Sequence, residues 1–157
     1  MKIFQYNNFD FYILIFDLIF VVSLKFIFTL LFFIIAIHAI ALYNHWYWTY
    51  LWLDIPMHFL GGVLVAMIYL RLINPKLQII NRQSLITLIL TLSFVAFVGV
   101  LLEFAEFLYD VFISSRGYSG FLQLGAADTI ADLFFDILGG LFFFIIYHIV
   151  ASLKKIN

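Results

Sequence analysis

Apolar residues fill this chain in long blocks, and the polar interruptions between them are short. A membrane-spanning helix needs about 20 predominantly apolar residues. Residues 54–73, 84–109 and 128–152 each meet that need. The stretch from Phe11 to Tyr43 is also apolar, interrupted at Asp17, Ser23 and Lys25. At about 1.5 Å per residue it is too long for one perpendicular span. It also lacks the Gly or Pro that would serve a tight reversal. We read 25–43 as the first span and 1–24 as an N-terminal interfacial or partly inserted helix; five spans are the alternative. The expected fold class is all-α, an integral membrane bundle of four transmembrane helices in a single domain covering 1–157.

Composition agrees with that pattern. The chain is 66% hydrophobic, 21% aromatic and 11% charged, with a mean hydropathy of +1.15. Soluble domains average about 45–50% apolar and about 25% charged. With no Cys, disulfides and thiolate metal sites are excluded. No basic patch marks a nucleic-acid partner. The N-terminal apolar run ends without a small-residue cleavage site, so a removable signal peptide is not expected.

Charge distribution sets the expected orientation. Lys2, Lys25, Arg71, Lys76, Arg82, Lys154 and Lys155 fall on one side of the spans, and only Arg116 falls on the other. The positive-inside rule makes the first side cytoplasmic. Both termini are then inside, in what we take to be a bacterial plasma membrane, and loops 44–53 and 110–127 face outward. Trp46, Trp48 and Trp52, with Tyr43, Tyr47 and Tyr50, crowd the first outer loop as an interfacial aromatic belt.

An internal repeat is visible at a constant offset of 78 residues. It matches Asp54 with Asp132, His58 with Asp136, and Leu60, Gly61 and Gly62 with Leu138, Gly139 and Gly140. Two parallel helix-hairpin repeats, each running in–out–in, would explain it; chance likeness between apolar segments is the rival. Residues four apart share a helix face, so Asp54, His58 and Gly62 form one stripe and Asp132, Asp136 and Gly140 another. Small residues let membrane helices approach closely. The second and fourth spans are expected to cross at the Gly pairs and draw His58 and Asp136 together.

Seven of the nine acidic residues sit at the outer ends of three spans: Asp54, Glu103, Glu106, Asp110, Asp128, Asp132 and Asp136. An ionised carboxylate at a span's centre costs roughly 2.5–3.5 kcal/mol even on the lenient insertion scale. Asp54 and Asp128 begin helices and can act as N-caps or support the site from outside. Asp110 ends a span in a polar loop, where solvation suffices. Asp136 lies too deep for capping, and Glu103 and Glu106 share a face. His38 is read as a packing or hydrogen-bonding residue, and His45 and His148 as solvated or snorkelling. Arg116 is either a solvated loop residue or a contact for an anionic head group.

His58, Glu103, Glu106, Asp132 and Asp136 therefore emerge as candidate metal ligands at similar depth. Oxygen-rich donors with one imidazole suit a divalent Mg, Mn, Fe or Zn ion. Such a site could act on a lipid-linked or phosphorylated substrate among the membrane lipids. Proton or cation transport through the carboxylates, and a non-catalytic assembly protein, are the alternatives.

Three short motifs, Asp54-x3-His58-Phe59, Gly99-x3-Glu103-x2-Glu106 and Asp128-Thr129-x2-Asp132-x3-Asp136-x2-Gly139, span much of residues 50–145. In these the chain resembles the VanZ-like membrane proteins and, more closely, the YjdF-like inner-membrane family. The resemblance implies a small polytopic membrane protein with a conspicuous polar outer site. It departs from the VanZ-like pattern at Asp136, where Asn is usual, and in the distance of its basic residue from the last motif.

Overall fold

The protein is described from a computed structural model that covers residues 23–73 and 84–156. Residues 1–22 of the N-terminal helix expected over 1–24, and the loop carrying Lys76 and Arg82, lie outside the described residues. Those residues form helices without a strand: α1 (Leu24–Tyr43), the short α2 (Trp46–Thr49), α3 (Asp54–Ile73), α4 (Ser84–Phe112) and α5 (Ala126–Ile156). Single 3₁₀ turns at Leu51–Leu53 and Ser114–Arg116 precede α3 and follow α4. Four helical stretches are long and apolar enough to cross a membrane: Leu24–Tyr43, Leu51–Ile73, Leu85–Arg116 and Ala126–Val150. The fold is an all-α membrane bundle.

Local chemistry sets the helix ends. Ser23 caps α1, its hydroxyl accepting the Phe26 N–H at 3.2 Å, which satisfies one of the free amides of the first turn. At the other end the Asn44 side chain donates to the Ile40 carbonyl at 2.8 Å. His45 then takes a left-handed backbone (φ 59°) and turns the chain into α2.

The α4 and α5 helices run beyond their sequence-based limits of 109 and 128. The α4 helix continues because Asp110, in its last turn, gathers the following loop against the helix. The α5 helix starts earlier because Gly125 (φ 124°) turns the chain directly into it.

The apolar core lies away from the acids, around Leu64, Met67 and Leu70 of α3, Val95 of α4, and Phe143, Phe144 and Tyr147 of α5. Thr91 is fully buried among them and donates its hydroxyl to the Thr87 carbonyl at 2.7 Å. The outer faces carry exposed Phe28, Phe32, Phe97, Phe104, Phe134 and Phe142. In a bilayer these meet acyl chains at no hydrophobic cost, since lipid tails are as apolar as the side chains.

The most extensive contact in the bundle is between α3 and α5. A Cβ on Gly62 would run into the backbone carbonyl of Asp136, and one on Gly139 into that of Phe59. The two helices therefore cross backbone against backbone, as the Gly pairs lead one to expect. Gly140 departs from that expectation. Its Cβ position lies 2.9 Å from Cγ2 of Val95, so it admits α4 instead of α3. Gly99 on α4 completes the junction, its Cβ position lying 2.5 Å from Oδ2 of Asp136. Three helices thus converge on one aspartate. By contrast, α1 packs chiefly on α3.

Candidate metal centre

The α3–α5 crossing brings residues matched by the 78-residue offset face to face. His58 projects from α3 into a ring of carboxylates supplied by three helices. Its Nε2 lies 3.6 Å from Oδ1 of Asp54, 3.9 Å from Oε1 of Glu106 and 3.9 Å from Oδ1 of Asp132. Its Nδ1 lies on the other side, 3.4 Å from Oδ1 of Asp136. Asp132 and Asp136 are each 2% exposed, and His58 and Glu103 each 6%. The imidazole therefore sorts the acids into three on one face and one on the other.

Asp54 is not an N-cap. Its own backbone is helical (φ −64°, ψ −42°), and its carboxylate turns toward His58, one turn along the same face. Asp128 does keep a capping role, although from inside the helix. As the third residue of α5 it reaches back to accept the Leu124 N–H at 3.0 Å, a variation on the acid at the third position of a capping box.

Asp110 differs from its sequence-based reading as a solvated loop residue. It is buried and accepts the Ser114 hydroxyl at 2.8 Å and the backbone N–H groups of Leu122 and Gln123 at 2.8 and 3.0 Å. These bonds fold loop 113–125 over the helix end. The folded loop then delivers Gln123, whose side-chain amide donates to the Glu103 carbonyl at 3.0 Å and to its Oε2 at 3.3 Å. Trp48 holds the loop from the opposite side, its indole N–H donating to the Phe121 carbonyl at 2.7 Å. Asp110→Ala removes three acceptor contacts to a charged group, each worth roughly 1.5–3 kcal/mol. Limited proteolysis within 117–124 is expected to quicken at least about tenfold at the lower end of that range; an unchanged cleavage rate would refute the anchoring role.

A cavity of about 280 Å³ opens beside the cluster. Asp54, His58, Glu106 and Asp136 line its polar end, and Ile34, Ile35, Leu51, Met57, Leu102 and Leu124 make apolar walls. His38 and Tyr47 also line it, and His38 Nδ1 shares a 2.8 Å hydrogen bond with the Tyr47 hydroxyl. His38 thus has a partner that the sequence did not reveal. Burial, then the charges of Asp54 and Glu106, push the Tyr47 hydroxyl well above the usual phenol range, so it stays neutral. Among the described residues no Lys or Arg lines the cavity. Arg116 is exposed on the loop.

The cluster carries an electrostatic problem. Two like charges 4 Å apart repel by about 4 kcal/mol at an effective dielectric constant of 20. One imidazolium cannot offset four carboxylates around it. Among the described residues, His58 Nδ1, Glu103 Oε1, Asp132 Oδ2 and Asp136 Oδ2 are moreover buried without a hydrogen-bond partner, which is costly for polar atoms removed from water. Protons, water or a bound cation can complete the site. Asp54, His58 and Asp132 meet the geometric requirement for a cation, since they offer ligand atoms that all lie within 4.8 Å of one another.

Tyr47, Gln123 and His38 belong to this site although sequence reasoning did not place them there. Tyr47 was hidden in the aromatic belt and Gln123 in a polar loop. Gly99, already part of the second motif, lies one turn before Glu103 on the same face.

These features define a polytopic helical membrane protein with a buried acid–imidazole cluster at one end of its bundle. A family model described as "Predicted membrane protein (DUF2238)" matches residues 11–152, and the chain belongs to that family. Neither a curated protein nor a solved structure matches it.

Proposed function

We propose that this protein holds a divalent metal ion at the extracytoplasmic end of its bundle and uses it on a lipid-linked substrate. The observation that carries the reading is the set of donor atoms from Asp54, His58 and Asp132 gathered in one buried place. Glu106 stands on the same side of the imidazole and can join them. Asp136 takes a different role from the ligand role expected of it. Facing Nδ1, it orients His58 so that Nε2 is presented to the ion, the arrangement common around metal-bound histidines. Glu103, braced by Gln123, supports the cluster from α4. A bound ion would lower the pKa of its water and polarise an ester or phosphoryl oxygen.

The cavity supports the lipid half of the reading, because apolar walls from α1 and α4 lead to a polar end. The distribution of basic residues supports the outward orientation with both termini cytoplasmic, and the motif resemblance to YjdF-like and VanZ-like proteins agrees with a polar outer site. Proton or cation transport is less well supported, since every described carboxylate lies toward the same end of the bundle.

Elemental analysis of the purified protein tests the metal. At least one equivalent of a divalent ion is expected, together with a rise in unfolding temperature on adding Mn²⁺ or Zn²⁺ to stripped protein. Asp132→Asn should weaken binding by at least about tenfold, the lower end of the range for disturbing a metal centre. No stoichiometric metal and no thermal response would end the proposal.

A further inference from the structure

We infer that the contact between Trp48 and Phe121 is a latch that shuts the cavity off from water at the acid-bearing end of the bundle. The segment between Gly117 and Gly125 is the cover that this latch holds down. The inference goes beyond the proposed function, since it depends on neither a metal nor a particular ligand.

Two loops meet at that end of the cavity. Tyr47 and Leu51 line it from one loop, and Phe121, Leu122 and Leu124 line it from the other. Trp48 joins them, its indole N–H donating to the Phe121 carbonyl at 2.7 Å. The fit is closer than one hydrogen bond requires. A Cβ on Gly120 would run into Nε1 and Cε2 of Trp48, so the loop backbone rests directly on the indole. The His45 ring backs the same indole, with centroids 5.4 Å apart.

The cover has unequal tethers. Leu122 and Gln123 donate two backbone N–H groups to the Asp110 carboxylate, whereas an indole has one N–H to offer. Gly117 (φ 80°) and Gly125 (φ 124°) bound the segment, with open space where a Cβ would stand. Glycine adopts such conformations without steric penalty, so both ends can absorb a change of backbone direction. Between them Tyr118 and Phe121 are exposed, and segments with few buried contacts open at low free-energy cost. When the segment moves, the Trp48 bond yields first. The cavity then opens between the two loops, while Asp110 keeps the far half of the cover attached.

The chain has no Cys, so one introduced thiol reports access. Met57→Cys places it on the cavity wall, where Met57 is buried. Ser115→Cys is an exposed control, and Thr91→Cys, fully buried in the apolar core, monitors the integrity of the bundle. Each is treated in nanodiscs with a charged methanethiosulfonate, which enters from water and not through lipid. Met57→Cys should react slowly beside Ser115→Cys. Trp48→Phe keeps a ring and loses the N–H donor, and Gly120→Ala forces loop and indole apart. Each should speed labelling of Met57→Cys at least about fivefold, which is about 1 kcal/mol at about 1.4 kcal/mol per tenfold, with Thr91→Cys still unreactive. Labelling tracks the open population when opening and closing are fast relative to reaction. Unchanged labelling of Met57→Cys in either variant overturns the inference, as does labelling as fast as that of Ser115→Cys with Trp48 in place. If Thr91→Cys becomes reactive together with Met57→Cys, Trp48 stabilises the whole bundle and the latch falls.

Discussion

Gly62→Ala is expected to destabilise the protein by about 2–3 kcal/mol or more, the upper range for overpacking, whereas Gly61→Ala beside it is expected to cost nothing. The two glycines are neighbours on one helix, and only their surroundings differ. A Cβ at Gly62 meets the carbonyl of Asp136, which belongs to the α5 backbone and cannot turn aside. A Cβ at Gly61 lies 3.7 Å from a side-chain oxygen of Asp136, an ordinary contact. Alanine at a helical position gains up to about 1 kcal/mol over glycine, so Gly61→Ala should be neutral or stabilising. Unfolding in mixed micelles checks the pair. Equal effects at both positions would mean that α3 and α5 do not touch where the structure places them. Gly139→Ala should behave like Gly62→Ala, because its Cβ meets the Phe59 carbonyl.

The second large effect is that of His58→Ala. Removing one partner of a buried charge pair costs about 3–5 kcal/mol, because the other is left uncompensated. Here the loss is felt by several acids at once, with His58 within 4 Å of Asp54, Glu106, Asp132 and Asp136. His58→Ala in metal-free protein should therefore lower stability by about 3 kcal/mol. The double variant His58→Ala with Asp136→Asn should lose less than the sum of its parts, since the second change removes a charge the first had stranded. Residues in direct contact couple by about 0.5–3 kcal/mol in such cycles. Strict additivity in the cycle would dismiss the pairing of Nδ1 with Asp136.

Much of this architecture was legible in the chain, and the reasons are physical. The four described spans follow from apolar length, which the bilayer enforces. The crossing was legible because two stripes, Asp54–His58–Gly62 and Asp132–Asp136–Gly140, each align chemistry with a small residue. What could not be read was direction around the helix axis. Gly140 turns toward Val95 of α4 rather than to α3, and Asp136 faces the opposite side of the imidazole from Asp132. Both depend on a rotation of a few tens of degrees that a stripe does not encode. Loop residues were harder still. Asp110 looks like any acid at a span end until Leu122 and Gln123 fold back upon it, and Tyr47 looks like belt aromatics until it meets His38.

The close approach of α3 and α5 has a mechanical consequence. Helices that touch through their peptide groups have no side-chain cushion to deform, so neither can rotate or slide without lifting off the other. Gly99 locks α4 to the same aspartate from the third side. The backbones that carry His58 and Asp136 are therefore held in direct contact. Among the described residues α1 packs chiefly on α3, and it carries Ile34, Ile35 and His38 on the cavity wall.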